Sequence, residues 1–432
     1  MATGKPVSLA EAFSVIVDPR VVGRSTHDLA EMLVVAVCAM LCGADNFVDI
    51  EAWAEERLDW LRQFMKLEHG IASHDTFGRV FGILDAHAVE ASFREWVSGL
   101  LPALAPGTVI AVDGKTSRRS GGSGKGALHL VSALATGVGV VLGQEATSEK
   151  SNEITAIPRL LQTLAIKGAI VTIDAAGTHA SIAKVIQEQN ADYVLAVKDN
   201  QPKLADSIRE FFATGQTHHW AHVCHDYYET VEKDHGRIEV RRYYAFGHLD
   251  CLANPDQWPG LKMFGVVQSE RTVKGKTSKE ARLYIGSIPV NAKQLAHAVR
   301  SHLEVENRLH WCLDVCLNDD QARARVNNSA QNLATIRRMV LNIFRLDKSR
   351  KGGIKGRRML ACSSDRYRAQ LLFHETPPPD TLQLDTLLDK IINRIMRLLT
   401  KAGHLIEGEG VLYLANTDSD NALAPLQAAS AT

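Results

Sequence analysis

The spacing of apolar residues divides this chain into a helical beginning, a strand-rich middle and a helical return. Asp28 to Leu41 is strongly apolar, with Ser25 and Thr26 available as caps. Within 49–65, Ile50, Trp53, Leu58, Leu61 and Met65 fall near one helical face. After a turn at Gly70, Ser73 caps a helix carrying Phe77, Val80, Phe81 and Leu84. Residues 8–100 therefore predict an all-helical N-terminal domain. Helix, turn, helix is compatible with a DNA-binding motif or with a plain helical bundle, and pattern alone favours the bundle. Pro102 and Pro106-Gly107 mark a boundary.

From 108 to 200 the period changes. Val109–Val112 predicts a strand, and Leu128–Ala135 and Val138–Gln144 predict two more joined at Thr136-Gly137. Asn152–Ala165 follows as a helix, with Ser151 as its cap and Pro158 awkwardly inside it. A strand at Ala169–Ile173, a helix at Thr178–Gln189 and a strand at Tyr193–Val197 complete the series. This β-β-β-α-β-α-β order is that of an RNase-H-like mixed sheet, in which the first and fourth strands are neighbours. Residues 201–290 interrupt it with β-rich stretches at Asp226–Val231, Arg237–Phe246, Met263–Ser269 and Arg282–Gly286, read as an insertion. Asn291–His310 and Asn332–Leu346 return to helix, followed by a basic loop at Lys348–Arg358. The fold class expected is α/β: an RNase-H-like core over 108–372 with a β-rich insertion. Pro377-Pro378-Pro379 then breaks the chain before an amphipathic helix at Leu382–Leu399 and a loose acidic end, so 376–432 stands apart as a tail.

Composition narrows the class. The 432 residues are 45% hydrophobic, enough for a globular core. The longest apolar stretch, Leu33–Cys42, is shorter than the roughly 20 residues a membrane helix needs. Met1 to Pro6 carries no basic start and apolar core, so no membrane role and a cytoplasmic location are expected. Seven scattered cysteines imply no disulfide framework, and Cys38/Cys42 and Cys312/Cys316 lack further ligands for zinc. Charge totals balance at 49 of each sign, but not locally. Arg300–Leu372 holds 15 Lys/Arg against 7 Asp/Glu, and Phe373–Thr432 holds 4 against 8. The basic stretch suggests a phosphate-facing surface that ends near residue 372.

Three acids stand where such a sheet needs them. Asp113 and Asp174 each follow an apolar strand, and Glu306 lies on a predicted helix with His310 one turn on. Three carboxylates brought together can hold two hard divalent cations. Spacing leaves Glu304 and Asp314 as rival third acids. Lone strand-end aspartates are usually turn or cap residues, so the case rests on all three. Lys115, Arg118, Arg119 and Lys125, in a Gly-rich run after Asp113, have the chemistry of a phosphate-tracking loop. Leu309 and Trp311 are expected to pack the Glu306 helix down.

These residues carry a resemblance. Val112-Asp113-Gly114-Lys115-Thr116, Glu149-Lys150-Ser151-Asn152-Glu153-Ile154, Thr172-Ile173-Asp174-Ala175 and Val305-Glu306-Asn307-Arg308-Leu309-His310-Trp311 resemble bacterial insertion-sequence transposases of the DDE class, in the H-repeat-associated branch. Ser73-His74-Asp75-Thr76-Phe77 extends the likeness to the N-terminal helices, so that it covers about 8–372. The resemblance implies that Asp113, Asp174 and Glu306 bind two Mg²⁺ or Mn²⁺ ions. It implies double-stranded DNA as partner, both element ends and target, with a homodimer holding the two ends. Recognition of the ends is expected of residues 8–100, and DNA contacts of Lys115, Arg118, Arg119, Lys125, Asn307 and His310. Two departures stand out. Ala176-Gly177-Thr178-His179 replaces the family's Met-Gly-Cys-Gln, and Leu303 replaces a tryptophan. A DNA-binding protein that no longer cuts, or a nuclease without strand transfer, are the rival functions. The tail from about 375, with Tyr413-Leu414-Ala415-Asn416-Thr417-Asp418, instead resembles an internal fragment of rolling-circle (HUH-type) transposases, and a foreign remnant without a catalytic role is expected there.

Overall fold

A computed structural model describes residues 8–373, apart from Arg24, 123–125, 148–152, His222 and His235, together with 405–408 and 411–414. The chain divides into two compact units, Met1–Phe373 and His374–Thr432. In the second, strand Leu405–Gly408 pairs antiparallel with Val411–Leu414. The helix expected at Leu382–Leu399 lies outside the described residues.

The first unit opens with six helices: α1 (Leu9–Ser14), α2 (Leu29–Leu41), α3 (Phe47–Glu56), α4 (Leu58–Leu61), α5 (His74–Ile83) and α6 (Ala86–Leu100). The expected 49–65 helix is thus two pieces, broken at Arg57. The cap of α2 is Asp28, whose carboxylate accepts from Glu31 N–H, rather than Ser25 or Thr26. From Met32 to Leu41 every residue of α2 is buried. A helix apolar all round must sit at the centre of its layer, and α2 packs against α1, α3 and α12 (Ser329–Leu346).

The middle of the chain forms one nine-stranded sheet. Its strands are β1 (Val109–Thr116), β2 (His129–Ala135), β3 (Val140–Thr147), β4 (Ile170–Ile173), β5 (Asp192–Val197), β6 (His225–Asp234), β7 (Arg237–Phe246), β8 (Met263–Val273) and β9 (Lys276–Gly286). They lie in the order β3-β2-β1-β4-β5-β9-β8-β7-β6. β1 runs antiparallel to β2 and parallel to β4, and β4 parallel to β5. This is the expected RNase-H-like core. The β-rich segment does not form a separate layer: β9 pairs antiparallel with β5, and the sheet continues through it. β7 has the expected bounds, whereas β8 and β9 run longer than expected because they extend as a polar, exposed ribbon that burial patterning does not mark.

Helices α7 (Glu153–Gln162) and α8 (Ala180–Glu188) pack on strands of the core, α7 against β2 and β3 and α8 against β5. Helix α9 (Pro202–Thr217) leads into β6. Helix α10 (Ala292–Val305) crosses β1, β4, β6 and β7, burying Leu295 and Val299 against Val109, Ile170, Val194 and Tyr243. It runs into a π-helical turn, Glu306–His310, and then α11 (Trp311–Leu317). Helices α13 (Ile354–Ser363) and α14 (Asp365–Phe373) close the unit, so the expected basic loop ends at Gly353.

Helix α12 fastens the N-terminal helices to the sheet with polar groups. Asn342 accepts from Val141 N–H (2.9 Å) and donates to Val141 O (2.8 Å). Gln144 donates to Thr335 Oγ1 (2.8 Å), and its N–H to Glu90 (2.9 Å). Asn332 donates to Phe81 O (2.8 Å). All are buried, so each unmade bond would cost about 1–3 kcal/mol. Part of the basic stretch from Arg300 is spent inside. Arg337, Arg338 and Arg368 are fully buried, and Arg358 donates to Met40 O, Ala44 O and Cys316 O. Guanidinium groups with five donors serve there as ties between helix ends, while Arg323, Arg325, Lys348, Arg350, Lys351, Lys355 and Arg366 of the same stretch are exposed. Cys38, Cys42, Cys312 and Cys316 are buried and free, as expected.

Candidate active site

Asp113 lies within β1, not at its end, because β1 continues for three residues beyond it. The partner of Asp113 across the ladder is Ser132 on β2, and the parallel pairing Val112↔Ile173 brings Asp174 alongside. Asp174 follows β4 and opens a short 3-10 turn, its Oδ1 accepting from Gly177 N–H at 3.2 Å. A Cβ at Gly177 would overlap Ile157, so the turn requires glycine. Thr178 is buried and donates to Ala196 O (2.6 Å), and the cap of α8 is His179, not Thr178.

Glu306 is the first residue of the π turn, and Trp311 N–H bonds back to Glu306 O. Single π turns inside α-helices occur frequently at functional sites, because the extra residue per turn re-aims the side chains around it. The Glu306 side chain is 75% exposed. His310, buried, has Nδ1 3.1 Å from Glu306 Oε2 and 3.8 Å from Asp113 Oδ2. Ligand atoms of Asp113, Glu306 and His310 all lie within 4.8 Å of one another, the one such group among the described residues. Asp174 is outside that set, yet its charge acts on Asp113. The rival acids are engaged elsewhere: Glu304 pairs with Arg308 (3.1 Å) and Asp314 with Lys115 (2.8 Å).

The electrostatics follow from this crowding. Burial pushes the Asp113 carboxyl up to about 7, one hydrogen bond from Gly114 N–H opposes it, and the charges of Asp174, Glu153 and Glu306 raise it further. Burial lowers His310, with Glu306 pulling the other way. His310 Nε2 is buried without a hydrogen-bond partner. Burial likewise lowers His302, which bonds Thr172 Oγ1 at 3.0 Å, while Asp174 opposes the shift.

The residues expected to meet DNA separate into two groups. Arg118, 83% exposed and loosely paired with Asp320, and exposed Arg119 and Asn307 lie on the surface. Lys125 lies outside the described residues. Lys115 and His310 are corrections. The Lys115 side chain is 8% exposed, with Asp314, Asp319 and Asp320 around its ammonium. Burial disfavours that charge, but the aspartates outweigh it and raise the Lys115 pKa. His310 faces the acids inward. Leu309 packs the helix down as expected, but Trp311 is 54% exposed, on the side of α11 away from buried Leu309, Leu313 and Cys316.

Sequence reasoning missed the pair His129–Glu153. His129 Nε2 lies 2.6 Å from Glu153 Oε1, and its Nδ1 2.8 Å from Thr116 Oγ1, all against Gly114. A Cβ at Gly114 would collide with both partners, so that glycine admits this pair rather than a phosphate. Glu153 stands in a quoted motif, but only its burial identifies it.

Comparison with known proteins bears on this geometry. The model for the transposase DDE domain matches residues 104–343, and the model for the DDE_Tnp_1-associated region matches 10–97. "Putative transposase YncI" of Escherichia coli O157:H7 is 40% identical over 84% of this chain and 94% of its own length. "H repeat-associated putative transposase YhhI" of Escherichia coli strain K12 is 38% identical over 84% and 97%. The solved piggyBac transposase synaptic complex with hairpin DNA is similar at a TM-score of 0.38 and 11% identity, over 90% of this chain and 83% of that one, too distant to argue from. With a family model spanning more than half its length and relatives matched almost end to end, this chain belongs to the DDE transposase family.

Proposed function

We propose that this protein is a DNA transposase that cuts at the ends of its element and joins them to target DNA, with Asp113, Asp174 and Glu306 as its metal-binding acids. The observation that carries the reading is the convergence of Asp113 and Glu306, with His310 between them, at a site bearing excess negative charge. The residues fit a hard divalent cation. Oxygen ligands dominate the set, burial and then the neighbouring acids push the Asp113 carboxyl up to about 7, and His310 Nε2 is buried and unpartnered. Two Mg²⁺ or Mn²⁺ ions held there would activate an attacking oxygen and stabilise a leaving one on phosphorus.

The protein's own share is positioning. His310 Nδ1, beside Glu306, orients an otherwise exposed carboxylate. Asp174, tied to Gly177 N–H, is held next to Asp113 by strand pairing. Water is first aligned with the phosphodiester at the element end, and the released 3′-hydroxyl is then aligned with target DNA. Arg118, Arg119 and Asn307 meet the DNA backbone, the helices over 8–100 recognise the terminal repeats, and a homodimer holds two ends.

The test is a supercoiled plasmid carrying the element ends, incubated with the protein and Mn²⁺. Cleavage followed by joined products is expected. Cleavage without joining would mean a nuclease, and binding without cleavage a DNA-binding remnant.

A further inference from the structure

β1 and the helix facing it meet along two rungs. In a strand, residues i and i+2 project from the same face about 6.6 Å apart, and in a helix residues i and i+4 share a face at about 6 Å. Asp113 and Lys115 on β1 therefore match His310 and Asp314, four apart along the helix, with Glu306 brought beside His310 by the π turn. The first rung is His310 Nδ1 to Asp113 Oδ2 at 3.8 Å. The second is Lys115 Nζ to Asp314 Oδ1 at 2.8 Å. The same ammonium donates to Asp320 Oδ1 at 2.8 Å and lies 3.7 Å from Asp319 Oδ2, in the turn that follows α11. That turn is itself anchored. Buried Arg337 lies 3.5 Å from Asp319 Oδ1 and donates to Leu317 O and Asp45 O, and Ser117 Oγ donates to Asp319 O.

We infer that Lys115 is a positioning residue: its ammonium sets the height of the Glu306 helix against Asp113, and so the cation site that lies one rung away. The inference rests on the reading of Asp113 and Glu306 as cation ligands. A phosphate-binding role does not fit. A phosphate reaching Lys115 would have to displace three aspartates from its ammonium, at a side chain almost closed to solvent. A plain stabilising ion pair would change melting alone. A rung that sets the height of Glu306 also changes how well the first rung's acids converge.

The test uses the full chain. Mn²⁺ binding is measured by calorimetry and paramagnetic resonance, alongside thermal melting, end binding and cleavage, for wild type and Lys115→Met. The double variant Asp113→Asn Lys115→Met identifies any cation taken up by the freed aspartates. A folded Lys115→Met is expected to bind Mn²⁺ at the Asp113 site about tenfold or more weakly, the loss usual when a supporting partner of a ligand is removed. End binding stays within a few-fold, and cleavage moves to higher Mn²⁺. If Lys115→Met does not fold, Asp314→Asn cuts the second rung while leaving two aspartates on the ammonium, and weakens Mn²⁺ a few-fold. Wild-type Mn²⁺ affinity in folded Lys115→Met, or in Asp314→Asn where that variant alone folds, overturns the inference. A wild type that binds Mn²⁺ and never cuts sinks the transposase reading and leaves the affinity comparison standing.

Discussion

Two acidic clusters lie side by side between the same strand and the same helix, and they are treated oppositely. Asp314, Asp319 and Asp320 surround Lys115, with Arg337 and Arg118 behind them. Asp113, Glu306 and Asp174 have no cation among the described residues, only a histidine whose pKa burial lowers. The first cluster is neutralised within the fold. The second keeps its charge unbalanced, and Asp113 answers by holding its proton up to about 7. Burial of Asp113 among like charges is a cost, and it supports the proposal of a cation site there.

The sharpest way to break the contrast is Asp113→Asn. Removing one charge from the unbalanced cluster should lower cleavage by about 10²–10³-fold or more, read on supercoiled plasmid, with end binding within a few-fold of wild type. Cutting at the wild-type rate would end the assignment. The same kind of change in the neutralised cluster should act on folding instead. Arg337→Met removes one of the two cations beside buried Asp319 and the donor to Leu317 O and Asp45 O, and is expected to cost about 3 kcal/mol or more in chemical denaturation.

Acidity sharpens the comparison without mutation. Asp113 holds its proton more tightly when folded, its pKa moving from 3.8 to about 7, so its contribution to stability is complete below about 4 and is lost as pH rises through 7. Burial lifts Glu90 from 4.5 to about 7, with the same sign. These two groups should therefore make metal-free protein less stable at pH 8 than at pH 5, while His302 and His310, lowered by burial, act in the opposite direction, so the reading is the difference between wild type and Asp113→Asn. Asp113→Asn should lessen that slope, Glu90 should keep part of it, and Mn²⁺ should restore stability at pH 8 in wild type only. A slope identical in Asp113→Asn would show that Asp113 is not the group titrating.

Smaller effects belong to the surface. Arg118→Ala should weaken DNA binding slightly and lower the salt dependence by about one phosphate contact, leaving Mn²⁺ affinity unchanged. An unaltered salt slope would remove Arg118 from the interface. Deleting 376–432 should leave cleavage as it was, and a large loss would show that the tail is no remnant.

What the sequence could tell depended on which signals are local. Val109–Val112, Ala169–Ile173 and Tyr193–Val197 were legible because buried parallel strands are continuous apolar runs, and their order gave the sheet. The acids were legible because each interrupts such a run or keeps helical spacing. The exposed ribbon of β8 and β9 was not, since polar residues on both faces leave no period. Nor was the fate of Arg337, Arg338 and Arg368: charge counting assumes solvent, and only packing shows a guanidinium capping helix ends. Lys115 was misjudged for the same reason, its partners being about 200 residues away. The π turn left no trace in composition, and Trp311 was assigned to the core on its size and apolar character although its helical phase opposes Leu309, Leu313 and Cys316.

That turn carries a consequence for how this protein can vary. Each residue of a regular α-helix advances the side chains by about 100°. Within the π turn the extra residue is held locally, so deleting a single residue from Glu306–His310 would rewind it into regular helix, leave the flanking helices in phase, and shift Glu306 or His310 out of its place beside Asp113. One-residue insertions or deletions there should be silent in no lineage that still transposes, whereas the loop at 347–353 has room to absorb them.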